Sequence, residues 1–373
     1  MTWFMRIKVS NARYYDPNIK EFIDRDFYIE DGLLKESFDN KETFIEFDAS
    51  DLITLPGLFD LHTHALPYIA SIGMECDVVG VNNGSAIICD AGSCGSNDFN
   101  EFLKYSENSI SDTYSFINYS SIGLSKNGKE LSKLEYLDDY ALEEVILKHK
   151  DKIKGIKLRA SKSVTGDLDM VPLIKGKEFA KKMGLAVMVH VGNYPPRLED
   201  VLAILDKGDI VTHCFHGKDG GILDSDGKVK DIVRRKYDEG ILFDVGHGAA
   251  SFSFDVATKA IKEGIIPYTI SSDIHLRNYH SKVFDLCDVM NKMLVCGMDE
   301  KDIFDSVTIH PREIVLRSCT YEVNKPIELS FIRKIDKSKI LCDADGNCKE
   351  ITSYYKNEMI IMKDKIIGVK ISD

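Results

Sequence analysis

The chain is 373 residues long, 44% hydrophobic and 29% charged, with a formal net charge of −12. That length suits one barrel of about 250 residues plus a smaller appendage, at the composition of an ordinary globular protein. An acidic balance without a dense basic patch argues against nucleic acid or an anionic membrane surface as the main partner.

The nine cysteines, at 76, 89, 94, 214, 287, 296, 319, 342 and 348, are scattered, odd in number and form no C-x-x-C. Neither a disulfide framework nor a thiolate zinc site is expected from them. Cys89 and Cys214 lie in apolar runs and read as core residues, whereas Cys94 sits in a glycine-serine loop and is the thiol to follow. Met1 to Arg6 lacks an apolar signal region, and no run of about 18 apolar residues exists. A reduced, cytoplasmic setting is the expectation.

Residues 1–54 read as short strands and turns: Arg6 to Val9, Asp26 to Ile29 and Thr43 to Phe47, with Glu30-Asp31-Gly32 as a turn. Residues 320–373 have the same style, with strand-like Ile327 to Ile332, Lys339 to Cys342, Lys349 to Tyr354, Met359 to Met362 and Ile366 to Ile371. One composite β-sandwich domain built from both termini is expected. The middle, 55–319, alternates strands with helices, which implies parallel strands and crossovers. Candidate strands end near His62, Asp90, Ser120, Lys157, His190, His213, Asp244 and Asp273, and helices are expected at Asp138 to His149, Lys175 to Met183, Arg197 to Leu205 and Phe254 to Lys262. Eight strands close a (β/α)8 TIM barrel, in which chemistry gathers at the C-terminal strand ends.

The polar residues fall at those ends. Leu55-Pro56-Gly57-Leu58-Phe59-Asp60-Leu61-His62-Thr63-His64 places two imidazoles on one strand face, since residues i and i+2 project together. Alone, His-x-His is more often a pair of surface histidines. His190 and His213 each end a further apolar strand, and Asp273 follows Ile270-Ser271-Ser272. Four imidazoles and a carboxylate at successive strand mouths point to divalent metal, zinc among the candidates. Lys157, within Gly155-Ile156-Lys157-Leu158, reads either as a snorkelling lysine or as a partly buried amine of lowered pKa. A neutral amine can be carboxylated, and the carbamate can bridge two metals.

Together these motifs resemble the binuclear amidohydrolase superfamily. Val189-His190-Val191-Gly192-Asn193, Thr212 to Lys218, Phe243 to Gly248 and Ser271 to His275 are similar to its deacetylase branch, often labelled dihydroorotase. The resemblance implies His62, His64 and Asp273 on one metal, His190 and His213 on the second, and carboxylated Lys157 between them. It further implies two zinc ions, a bridging hydroxide as nucleophile and Asp273 as general acid and base. The expected reaction removes an acyl group, acetyl foremost, from a small amide or ester carrying a carboxylate. Cyclic amide hydrolysis, deamination and a non-catalytic scaffold are the alternatives. True dihydroorotases carry an arginine two places after the second histidine, where this chain has Leu66.

For the small-molecule substrate, Arg159 lies two residues past Lys157 and is expected to share its face and meet a carboxylate, a surface salt bridge being the plainer reading. His216 and His247 sit in glycine-bounded loops and are expected to line the pocket, a supporting place behind the metal ligands being the alternative. His275 is expected to orient a group near Asp273, while His149, His280 and His310 read as structural. A homo-oligomer is left open, because no interface signature decides it.

Overall fold

Period-two burial organises the N-terminal region, which begins with β1 (Arg6–Asp16) and β2 (Glu21–Glu30) as an antiparallel hairpin. Ile7, Val9, Ala12 and Tyr14 of β1 point into a core, and a bulge between Val9 and Ala12 puts Asn11 at φ +56°. The computed structural model that provides these coordinates describes residues 5–39, 43–125, 128–319 and 321–369. Next come β3 (Leu33–Lys35), β4 (Ile45–Asp48) and β5 (Ile53–Pro56).

Only Gly57 and Leu58 separate β5 from β6 (Phe59–Thr63), the first barrel strand. The chain passes so close to its neighbours there that a Cβ on Gly57 would lie 2.5 Å from the Glu328 side chain. Then follow β7 (Ile87–Ala91), β8 (Asp112–Asn118), β9 (Ile153–Ala160), β10 (Ala186–Val191), β11 (Ile210–Thr212) and β12 (Leu242–Asp244), all parallel, in the order β6 to β12. Residues 269–274 join the two edges: they pair with Asp244 on one side and Thr63 on the other. Asp273 N donates to His62 O at 2.7 Å and Val245 N to Thr269 O at 3.1 Å, which closes the ring. The parallel sheet thus has seven strands, and where an eighth was expected the segment 269–274 closes the ring through two isolated bridges. Of the expected helices, Phe254–Lys262 is observed with the same bounds, and the others are Asp139–Lys148, Val171–Met183 and Leu198–Ala203.

After helices Leu286–Val295, Glu300–Ser306 and Ile309–Ile314, the chain returns to β structure. It forms β13 (Glu328–Ile335), β14 (Lys339–Cys342), β15 (Cys348–Ile351), β16 (Tyr354–Met362) and β17 (Lys365–Gly368). β13 pairs antiparallel with β5, so both ends of the chain share one eight-stranded mixed sheet, β17-β16-β13-β5-β1-β2-β3 with β4 on β1. Val9, Phe27, Leu329, Phe331 and Ile361 pack into a core of its own. The stretch expected as one strand from Lys349 to Tyr354 is broken at Thr352 and Ser353, where the ribbon β14–β15 gives way to β16. Residues 370 and 371 of the expected last strand lie outside the described residues.

The cysteine expectation needs correction. Register places Cys342 opposite Cys348 on β14 and β15, and the two form a disulfide. It closes a ribbon turn, a pairing that scattered cysteine spacing did not suggest. The other seven, Cys94 included, are buried free thiols, and burial pushes the Cys94 thiol well above its ordinary range, which makes it a poor nucleophile. No helix among the described residues is long and apolar enough to cross a membrane.

Candidate active site

Each barrel strand delivers its polar residue to the same end. β6 carries His62 and ends beside His64, β9 carries Lys157, and β10 carries His190. His213 follows β11, and Asp273 lies in the closing segment. All six border one cavity of about 190 Å³, together with Ile72, Leu124, Arg159, Ala249, Ala250, Ser251 and His275. Asp273 Oδ1 is 3.1 Å from His64 Nε2 and 3.4 Å from His62 Nε2, and its Oδ2 is 3.9 Å from His213 Nε2. Lys157 Nζ is 3.2 Å from His62 Nε2, and the His190 and His213 ring centres are 4.4 Å apart.

Hydrogen bonds behind the rings decide which nitrogens face inward. Thr212 Oγ1 gives its proton to Asp244 Oδ2 at 2.6 Å, so at 2.9 Å it accepts from His62 Nδ1. His213 Nδ1 donates to Gly246 O at 2.5 Å. Both imidazoles therefore carry their proton on the outside and turn an Nε2 lone pair toward Asp273. His64 Nδ1 is tied to Ser93 Oγ at 2.9 Å.

The backbone is strained to achieve this. His213 and Asp273 sit at φ +69° and φ +48°, the left-handed region that costs a side-chain-bearing residue about 1–3 kcal/mol. Gly248 packs so closely on Asp273 that a Cβ there would stand 2.5 Å from Oδ2. Asp60 ties the first strand to the last: it accepts from His62 N at 3.2 Å, Ser272 N at 3.0 Å and the Ser272 hydroxyl. Burial pushes Asp60 up to about 7. Asp60 was absent from the sequence expectation, although its period-two spacing from His62 and His64 places all three on one strand face.

Burial also sets the charges. Desolvation holds His62 and His190 well below the ordinary imidazole range and His213 at about 3, so the three rings are neutral. Desolvation likewise lowers Lys157 to about 7. For Asp273 burial acts upward, but the hydrogen bond with His64 Nε2 acts the other way, and the carboxylate stays ionised.

Comparison with known proteins matches this geometry. A deacetylase of Enterococcus faecalis is 34% identical over 322 residues, spanning 85% of this chain and 86% of that protein. The chain belongs to the deacetylase family of amidohydrolases. It is a hydrolytic enzyme. Among solved structures, one described as a dihydroorotase superimposes with a TM-score of 0.93 at 29% identity, covering 99% of both chains. Another, described as an adenine deaminase, gives 0.90 at 29% identity over 98% of this chain and all of that one. No family model matches the chain.

In this amidohydrolase the donor set suits a divalent cation. Nitrogens of His62 and His213 and a carboxylate oxygen of Asp273 all lie within 4.8 Å of one another. Two lone pairs thus converge on an ionised carboxylate, and of the cations near them Lys157 reaches only His62. Lone pairs and negative charge so arranged repel unless a positive ion sits among them. The trio cuts across the division implied by the resemblance, in which His213 stands apart from His62 and Asp273.

Arg159 of the amidohydrolase does share the cavity with Lys157, and it is also paired: its Nη1 donates to buried Glu130 at 3.0 Å. His216 and His247 do not line the cavity. His216 accepts from Lys218 N at 3.1 Å and faces a small neighbouring cleft beside Tyr194 and Gly220. His247 lies behind its loop, stacked on Phe252, with Nε2 3.0 Å from Lys292 Nζ. His275 reaches the cavity, its ring 5.9 Å from His64. His310 stacks on Tyr268 and bonds the Tyr268 carbonyl, away from the cavity.

Proposed function

We propose that this enzyme removes an acyl group, acetyl foremost, from a small amide or ester that carries a carboxylate, with two zinc ions as cofactors. The observation that carries the reading is the convergence of inward-facing imidazole lone pairs on Asp273 at the floor of a cavity walled by Arg159. His62, His64 and Asp273 would hold one ion, His190 and His213 the other, and Lys157, as a carbamate, would stand between them. Lys157 suits that change: it is fully buried, and among the described residues its amine bonds His62 Nε2 and Met188 Sδ and forms no ion pair with a carboxylate. Bound zinc would supply Lewis acidity and make a water acidic enough to attack at neutral pH.

The protein's own groups do the rest. Arg159, held by Glu130, offers its remaining guanidinium donors to the substrate carboxylate and so orients the acyl group toward the histidines. Asp273, fixed by its strained backbone and by Gly248, takes the proton of the attacking water on the oxygen facing His62 and His64. It then returns that proton to the departing amine or alcohol. Ile72 and Leu124 shield the cavity wall from bulk water.

The test is an assay of metal-replete protein, prepared with bicarbonate, on N-acetyl amino acids and O-acetyl hydroxy acids. Turnover of at least one series is expected, and silence across both with two metals confirmed by elemental analysis sinks the substrate assignment. Hydrolysis of a cyclic amide is the second reading, favoured by the likeness to the structure described as a dihydroorotase. Against it, Leu66 is buried in the core and offers no carboxylate grip.

A further inference from the structure

A second, larger cavity of about 660 Å³ opens on the flank of the barrel and shares no lining residue with the active site. One wall is the helix Leu286–Val295 and the other is formed by the end of β13, by β14 and by β16. The walls are pinned together, for Asn291 exchanges two hydrogen bonds with the Tyr355 backbone, at 2.7 and 2.8 Å. Its volume lies in the range of ligand pockets, about 300–1,000 Å³.

The lining is sorted by charge. Asp285, Asp288 and Lys292 form a buried floor, while Lys282, Lys337 and Lys339 stand exposed at the mouth. Lys292 is committed: its amine meets Asp288 Oδ2 at 2.8 Å, His247 Nε2 at 3.0 Å and the Lys282 carbonyl at 3.2 Å. Asp285 accepts from Asp288 N at 2.7 Å, capping the helix, and no ion pair to it is formed among the described residues. The floor therefore carries one carboxylate more than its lysine can neutralise. Burial, with Asp288 beside it, pushes Asp285 up to about 7, while Lys339 acts on it in the opposite sense from across the cavity. Phe284, Ile335, Leu341 and Tyr355 supply apolar surface between floor and mouth.

A buried carboxylate in want of a cation, an apolar midsection and a cationic rim describe the complement of a zwitterion. We propose that this cavity binds a small apolar amino carboxylate, its ammonium on Asp285 and its carboxylate on the lysine rim at Lys339. The site is independent of the hydrolytic chemistry assigned above.

Titration calorimetry of the metal-replete full chain with L-leucine, L-methionine and L-phenylalanine tests it. At least one is expected to bind saturably at one per chain. D285N keeps the helix cap, since asparagine caps as well as aspartate, and is expected to weaken binding tenfold or more. K339A alters an exposed side chain and is expected to weaken it several-fold. H64N, in the active site, is expected to leave it unchanged. No saturable binding by any of the three overturns the proposal, as does binding that survives both D285N and K339A. Binding abolished by H64N also overturns it, because the amino acid would then occupy the active site.

Discussion

The barrel holds a buried polar cluster at each end, and the two are built on opposite rules. At the N-terminal end of the strands, Arg312 donates to Glu328 at 2.9 Å and to the Gly57 and Thr308 carbonyls, both at 2.7 Å. Arg317 bridges Asp112 at 2.8 Å and Glu328 at 3.1 Å. Lys363 adds to Asp112 at 3.4 Å, so each anion meets a cation, and the cluster stitches β13 of the composite sheet to the first barrel strand. At the C-terminal end three imidazoles stand 3.1–3.9 Å from one carboxylate, two residues sit at left-handed φ, and lone pairs face that carboxylate. A buried cluster that neutralises itself is structural. One in which imidazole lone pairs meet an ionised carboxylate on a strained backbone is arranged for something that is not part of the chain.

The largest effect that tests this contrast belongs to Asp273. D273N should lower kcat by about 10²–10⁴-fold, the worth of a positioned proton acceptor, with thermal unfolding little changed. Steady-state kinetics beside a melting curve checks it, and equal losses of activity and stability would erase the distinction between the ends. E328Q should do the reverse. Removing the anion that Arg312 and Arg317 share strands a buried guanidinium, at a cost of about 3–5 kcal/mol read from denaturant midpoints, while kcat per folded molecule is retained.

Lys157 gives the sharpest opposition of sign. In metal-stripped protein, K157M replaces a buried amine that forms no ion pair with a carboxylate among the described residues by an apolar chain of similar shape. It should raise stability by about 1–2 kcal/mol while abolishing activity of the metal-replete enzyme. A destabilised K157M would mean that the amine is properly compensated by its surroundings.

The smallest effect is a pH limb. Burial holds His216 at about 4, below an unfolded imidazole near ~6.5, so the unfolded chain takes up the proton first as pH falls. Its stabilising contribution is present above pH ~6.5 and is lost between ~6.5 and ~4, by up to about 3 kcal/mol. H216Q should flatten that limb in melting curves recorded from pH 7 to pH 4.5, and an unchanged slope would show that other groups dominate it.

Much of the site was legible because strand geometry is strictly periodic. A histidine that ends an apolar run must emerge at a strand mouth, and that placed His62, His190 and His213 before any coordinates. Lys157 was legible by its misfit within Ile156 and Leu158. The loop histidines His216 and His247 were not, since a glycine-bounded loop fixes no direction, and both turned away, whereas His275, two residues past Asp273, reaches the cavity as its position implied. Glu130 and Asp60 carried no chemistry of their own to announce them. Each matters through a partner distant in sequence, Arg159 for one and Ser272 for the other. Cys342 and Cys348 became a pair only once the ribbon register set them opposite.

Local pattern by itself determined the alternation of strands and helices in the middle of the chain, the β character of both ends, and the residues that bear the chemistry. These depend on backbone periods of two and 3.6 residues, which any short window displays. Tertiary structure alone decided that β5 and β13 pair, that the 269–274 segment closes the ring, which imidazole nitrogen looks inward, and which loop side chains reach the cavity. Those outcomes depend on hydrogen bonds and close contacts between residues far apart in the chain, and distance along the chain carries no record of them.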